Sequence, residues 1–150
     1  MRAVVQRVSE AAVTIGGVEH GRIRPGLLVL LGVQAGDTVD DLEWLCGKIA
    51  RLRIFPDEAG VMNRDVTQAH GEVLLVSQFT LHASTVKGNR PSYLRAARPE
   101  EAMPLYLRAK QRLAELVGRP VKTGEFGADM KVSLVNDGPV TIIIDSRTRE

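Results

Sequence analysis

The sequence predicts a mixed α/β fold: a single domain over residues 1–150, mostly antiparallel sheet in a barrel-like or layered arrangement, with two main helices. Three observations carry this. Short β-rich runs follow one another without intervening helices at both ends of the chain, which argues against a doubly wound parallel sheet. A glycine pair, Gly16-Gly17, joins two of those runs at hairpin spacing. Only two stretches, opening near Thr38 and Pro99, repeat apolar residues with a helical period.

In chain order, residues 3–8 alternate and are β-rich. Residues 11–15 and 18–23 flank the glycine pair as a predicted hairpin. Residues 27–33 are continuously apolar, the pattern of a strand covered on both faces. Asp37 or Thr38 can cap a helix whose apolar positions are Val39, Leu42, Leu45, Cys46, Ile49 and Leu52. A short return to strand precedes Pro56. Residues 73–81 read as one strand, with polar Ser77 and Gln78 interrupting it. Residues 85–92 form a basic, glycine-containing loop. Pro99 suits the first turn of a second helix and Gly118 its end, with Leu105, Ala109, Leu113, Leu116 and Val117 on one face. Pro104, inside that span, is expected to delay or kink the helix. Residues 121–127 read as loop or edge, and 131–135 and 140–145 as two further strands.

Composition narrows the function classes. At 150 residues, 44% hydrophobic and 25% charged, the chain has the makeup of an ordinary globular domain. Its longest apolar run is strand length, well short of the ~20 residues of a membrane helix. Its first residues have polar breaks where a signal peptide is apolar, so a cytoplasmic protein away from the membrane is expected. Cys46 is the lone cysteine and fits a small core residue. The net charge of +2 tolerates a polyanionic partner without demanding one, and aromatics at 4% argue against base-stacking platforms.

The familiar catalytic signatures are missing. His20, His70 and His82 have no metal-ligand spacing, so no metal and no cofactor is expected. There is no phosphate-binding glycine loop and no nucleophile elbow. Polarity remains where a core strand ends. On a strand, Gln78 and Thr80 share one face, while Ser77, Phe79 and Leu81 share the other. That face offers an amide and a hydroxyl but no base, and a Thr80 nucleophile needs activation by a neighbour. Gln78 and Thr80 are the candidate catalytic pair, in a chemical or a purely positioning role; a strand end with satisfied polar groups is the other reading. The glycine-spaced turn Gly124-Glu125-Phe126-Gly127-Ala128-Asp129-Met130 can present N–H groups to a ligand or be a plain loop. In Lys87-Gly88-Asn89-Arg90-Pro91-Ser92, Lys87 and Arg90 can contact phosphate groups or simply be solvated. Finally, Asn136-Asp137-Gly138-Pro139-Val140-Thr141 pairs the freest backbone residue with one of fixed φ. It is either a turn or a rigid, side-chain-poor probe.

Together these segments, with the opening Met1-Arg2-Ala3-Val4-Val5-Gln6-Arg7-Val8, resemble the D-aminoacyl-tRNA deacylase family over essentially the whole chain. The resemblance implies a cytoplasmic homodimer with its active sites at the interface. Such an enzyme hydrolyses the ester between a D-amino acid and the terminal ribose of aminoacyl-tRNA, and clears glycine mischarged on tRNA. It implies that Gly138-Pro139 has a cis peptide bond and enters the partner's pocket. Ser77, Gln78, Phe79 and Thr80 would line that pocket with Phe126, Ala128 and Met130, and Arg7 would orient the Gly-Pro carbonyls. It further implies RNA-assisted chemistry through the 2′-hydroxyl of the terminal adenosine, which suits the lack of a side-chain base.

The chemistry suits these residues. An enzyme that accepts many side chains but one hand must read the groups around Cα. Rejecting the L form ~10⁴-fold takes about 5.5 kcal/mol. Steric exclusion by backbone carbonyls can supply that, whereas one methylene in a soft pocket gives ~1–3 kcal/mol. Glycine passes such a filter. Two other readings stay open on the residues alone: a non-catalytic RNA-binding module using Lys87 and Arg90, and a small-ester hydrolase using Thr80.

Overall fold

The computed structural model describes residues 1–149. Six strands form the main sheet. They are β1 (Arg2–Ile15), β2 (Val18–Ile23), β3 (Gly26–Gly32), β6 (Glu72–Ser77), β7 (Lys122–Thr123) and β8 (Lys131–Asp145). A two-stranded sheet of β4 (Phe55–Pro56) and β5 (Met62–Arg64) stands apart, and helices α1 (Val39–Ala50) and α2 (Pro99–Val117) complete the fold. Among the described residues no helix is long and apolar enough to cross a membrane.

The expected hairpin is present. Ile15 pairs with Val18 across Gly16 and Gly17, whose φ values of 56° and 80° meet the positive-φ demand of a two-residue turn. The two strands expected at 3–8 and 11–15 are one long strand, β1, which is the spine of the sheet. Its first half pairs with β3, its second half with β2, and β8 lies antiparallel along its other edge. Pairings β3–β6 and β6–β7 are parallel, with α1 and α2 in the respective crossovers. A Cβ added to Gly21 of β2 would lie 2.7 Å from the Thr123 carbonyl of β7. The two ends of the sheet therefore meet closely and the barrel is nearly closed.

Strand alternation separates two cores. Ala3, Val5, Leu27, Val29, Leu31, Val73 and Leu75 face the helices, while Val13, Ile23, Leu28, Leu74 and Val76 face the inside of the curled sheet. Thr38 caps α1 in a reciprocal box with Asp41 and presents Leu42, Leu45, Cys46 and Ile49 to the core. Helix α2 starts at Pro99 and ends at Gly118 (φ 74°). Pro104 does not delay it: its missing N–H forgoes one bond to the carbonyl of exposed Glu100 in the opening turns, where the cost is small. Tyr106, absent from the expected apolar face, is buried there, and Leu105 and Leu116 are only partly buried.

Two further expectations are corrected. The strand 73–81 ends at Ser77, and Phe79–His82 is a 3₁₀ turn. Leu31 of β3 pairs with Ser77, and Gln78 still donates to the Leu31 carbonyl at 2.8 Å. Beyond this point β3 stops, so the chain has no ladder to join and closes bonds locally. The strand-face grouping of Ser77, Phe79 and Leu81 against Gln78 and Thr80 falls with it. Residues 131–135 and 140–145 are likewise one strand, β8, since both parts pair with β1. Asn136 pairs with Val8 and Thr141 with Gln6, so the residues between bulge out past Arg7 rather than reverse the chain.

The chain ends are tied to this frame. The Met1 ammonium, fully buried, lies 2.7 Å from the Asp37 carboxylate and donates to the Ser146 hydroxyl at 2.7 Å. Asp37 also pairs with Arg147 at 2.9 Å.

Candidate active site

A cavity of about 600 Å³ opens between the end of β6, the 3₁₀ turn, the start of α2 and the turn before β8. It gathers six of the expected residues: Ser77, Gln78, Phe79, Phe126, Ala128 and Met130. Thr80 is not part of this lining, but its hydroxyl accepts from the Gln78 amide at 2.5 Å. The amide donates a hydrogen bond to that oxygen and cannot remove its proton, so Gln78 does not activate Thr80 as a nucleophile.

The cavity is chiefly apolar. Phe79, 56% exposed, meets Tyr93, 40% exposed, edge to face at 5.1 Å. Tyr106 packs at 5.6 Å from Phe126 and donates to the Leu75 carbonyl at 3.0 Å. Burial pushes its phenol up to about 12, so it stays protonated. Asp129 is the one carboxylate of the lining, and it is exposed and paired with Lys131. Arg98 at the N-cap of α2 adds a cation. The sequence reading missed Tyr93, Tyr106 and Arg98. Only Tyr106 left a local signal, since it shares the helical spacing of Ala102, Ala109, Leu113 and Val117.

Gly138, Pro139 and Arg7 do not line their own chain's cavity. Gly138 and Pro139 are exposed at the crest of the bulge, joined by a cis peptide bond. The bulge is tightly built. Arg7 Nε donates to the Asp137 carbonyl at 3.0 Å and Nη1 to the Ile54 carbonyl at 2.6 Å. Asn136 Oδ1 accepts from the Val140 N–H at 3.0 Å, and its amide donates to the Thr141 hydroxyl at 2.9 Å. Gly138 has φ 135°, and a Cβ there would lie 2.8 Å from Val140 Cγ2 and 3.1 Å from Arg7 Nη2, so only glycine fits. Among the described residues no strand pairs with the outer edge of β8, on which Leu134, Val135 and Ile143 are exposed.

Lys87 and Arg90 stand exposed in the loop closed by the Ser84–Ser92 bridge. Among the described residues no cluster of His, Cys, Asp or Glu can hold a metal ion. Burial, with Glu43 nearby, pushes the Cys46 thiol up to about 12, so it carries no thiolate at neutral pH. A larger, open depression of about 800 Å³ surrounds Arg51, Arg53 and Arg64, but Asp57, Glu58 and Asp65 offset their charge and no expected site residue lines it.

The sequence profile of the D-Tyr-tRNA(Tyr) deacylase family matches residues 4–145. A D-aminoacyl-tRNA deacylase of Akkermansia muciniphila is 61% identical over 150 residues, all of both chains. One of Chromobacterium violaceum is 59% identical over the same full lengths. Among solved structures, a c-Myc DNA unwinding element binding protein superposes with a TM-score of 0.92 at 43% identity, over 97% of this chain and 98% of the other. A probable eukaryotic D-amino acid tRNA deacylase shares the fold, with a TM-score of 0.82 at 18% identity over 96% and 98%.

Proposed function

The chain belongs to the D-aminoacyl-tRNA deacylase family, and from that membership we infer its activity: it is a hydrolase that cleaves the ester bond of D-aminoacyl-tRNA. The reaction releases free D-amino acid and tRNA.

Beyond that reaction, the handedness filter is the pair of carbonyls at Gly138 and Pro139, acting in the cavity of a second copy of the chain. One observation carries this reading. The bulge is fixed by Arg7 and Asn136 and excludes any side chain at Gly138, yet it stands exposed outside its own cavity. A device built this firmly and aimed outward serves a neighbour. The open edge of β8 supports the same homodimer, because an unpaired strand with exposed apolar residues is a ready pairing surface. In the cavity, Gln78 and Thr80 position the aminoacyl group, with Ser77, Phe79, Phe126, Ala128 and Met130 around it. The lining's one carboxylate, Asp129, is exposed and paired with Lys131, which supports assistance by the 2′-hydroxyl of the terminal ribose instead. Lys87 and Arg90 reach the tRNA phosphates. Glycine esterified to tRNA is also accepted, since it has no side chain for the carbonyls to exclude. The cytoplasm, where charged tRNA is used, is the expected compartment.

The test uses matched D- and L-tyrosyl-tRNA with purified protein in the presence of chelator. Release from the D form alone is expected. Tight tRNA binding without turnover points to a non-catalytic binding module, and turnover of simple esters without RNA points to a Thr80 hydrolase. The shared site is checked by mixing a Gly138→Ala chain with a Gln78→Ala chain. Activity recovered in the mixture requires that one chain's bulge serve the other's cavity; no recovery would count against it.

A further inference from the structure

The turn that carries Thr80 is fastened from the second residue of the chain. Arg2 Nη1 donates to the Leu81 carbonyl at 2.9 Å, while its Nε donates to Asp145 Oδ2 at 2.8 Å. A planar fork of five donors can hold two partners at a set separation, which a lysine ammonium cannot. Asp145 is itself fixed, since its Oδ1 accepts from the N–H groups of Arg147 and Thr148. Burial works against this carboxylate, but those hydrogen bonds and the one from Arg2 outweigh it and keep its pKa below the ordinary carboxylate value.

The other supports of the turn are of a different kind. Gln78 N–H holds the Leu31 carbonyl at the upstream end. Beneath the turn, Gly32 leaves room for the Gln78 carbonyl, 2.9 Å from where a Cβ would stand, and for the His82 ring. His82 is buried and its Nε2 has no partner, so it fills space without bonding through that atom. Just past the turn, exposed Arg95 holds the Ala83 carbonyl at 3.2 Å. Among the described residues, Arg2 is the only charged group on a carbonyl of Phe79–His82.

We propose that Arg2 is a positioning residue for deacylation: by tying the Leu81 carbonyl to the end of β8 it sets the turn, and with it the Gln78–Thr80 pair, against the cavity. This rests on the deacylase reading above. In the intact protein acting on D-tyrosyl-tRNA, Arg2→Met lowers kcat about 10²-fold with KM within about threefold, the scale of a reacting group misplaced by an ångström. Arg2→Lys keeps one donor for Leu81 and falls between the two. Asp145→Asn, remote from the turn, weakens the brace and lowers kcat less.

Amide exchange gives a readout independent of activity. In Arg2→Met the Leu81 and Ala83 amides, which close the turn on Gln78 and Thr80, exchange about tenfold faster, as expected for local opening, while the β1–β3 ladder keeps its protection. A kcat within twofold of the parent in Arg2→Met, or unchanged exchange at both amides, overturns the proposal. If Arg2→Met does not fold, parental kcat and exchange in both Arg2→Lys and Asp145→Asn overturn it. A parent protein that does not turn over D-tyrosyl-tRNA removes the deacylase reading; the exchange comparison still decides whether Arg2 fastens the turn.

Discussion

Arg7 holds the Asp137 carbonyl at 3.0 Å, so the residue directly before Gly138 is clamped by a side chain 130 positions earlier in the chain. The same guanidinium reaches the Ile54 carbonyl at 2.6 Å and faces the Asp137 carboxylate at 3.7 Å. Among the described residues it makes no hydrogen bond to the Gly138 or Pro139 carbonyl, so in the proposed filter it would orient them through their neighbour. Arg7→Lys keeps a cation but loses the fork that spans two carbonyls. The ratio of D- to L-tyrosyl-tRNA turnover is expected to fall at least about tenfold, the effect of losing roughly 1.4 kcal/mol of discrimination. An unchanged ratio would mean that the bulge keeps its geometry without Arg7.

Gly138→Ala places a methyl group at φ 135° against Val140 and Arg7. Because the bulge is exposed, the strain of ~1–3 kcal/mol falls on loop geometry more than on the core. Deacylation is expected to drop steeply while the far-ultraviolet circular dichroism is unchanged. Full activity in this variant would remove the bulge from the mechanism.

Thr80→Ala removes the hydroxyl that accepts from Gln78. With that hydroxyl bonded to an amide donor and to no base among the described residues, turnover of D-tyrosyl-tRNA is expected to stay within about tenfold of the parent, the loss of one neutral hydrogen bond of ~0.5–1.5 kcal/mol. Complete loss, with fold and tRNA binding intact, would identify Thr80 as the nucleophile.

The Asp37 side chain is fully buried between the Met1 ammonium and Arg147. Asp37→Asn leaves two cations facing a neutral amide, and breaking a buried pair from one side costs about 3–5 kcal/mol. Urea unfolding monitored by Trp44 fluorescence should show a lower midpoint with an unchanged slope. Parental stability in this variant would show that water or rearrangement compensates the ammonium.

Burial holds the His82 imidazole below its ordinary value of 6.5; the Gly32 backbone pulls the other way, Arg2 and the Met1 ammonium reinforce the depression, and Asp37 opposes it. The folded state therefore binds fewer protons at His82 than the unfolded state. Its contribution is complete above pH 6.5 and is lost as the pH falls through the depressed folded value. Unfolding midpoints are expected to decline from about pH 6.5 downward, above the range where carboxylates titrate, and to decline less in His82→Gln. A flat profile down to about pH 5 in the parent protein would exclude this role.

Much of the framework was legible because its cues are local. The Gly16-Gly17 hairpin, the Thr38–Asp41 box, the Pro99 and Gly118 helix ends and the doubly covered strand β3 each depend on a few adjacent residues. The six lining residues came instead from the family resemblance, carried by two short segments: Ser77, Gln78 and Phe79 lie in one and Phe126, Ala128 and Met130 in the other.

What only the tertiary structure decided was where strands stop and what they touch. Residues 78–81 have strand-like chemistry, but β3 ends beside them, so they close into a 3₁₀ turn. The Gly138-Pro139 segment carries turn signals, but pairing of both flanks with β1 makes it a bulge in one strand. Tyr93, Arg98 and Arg2 were invisible because their partners lie far along the chain: Arg2 meets a carbonyl 79 residues away. Backbone propensity is read within a few residues, whereas these contacts come from the register of β1 against β3 and β8, which no local pattern encodes.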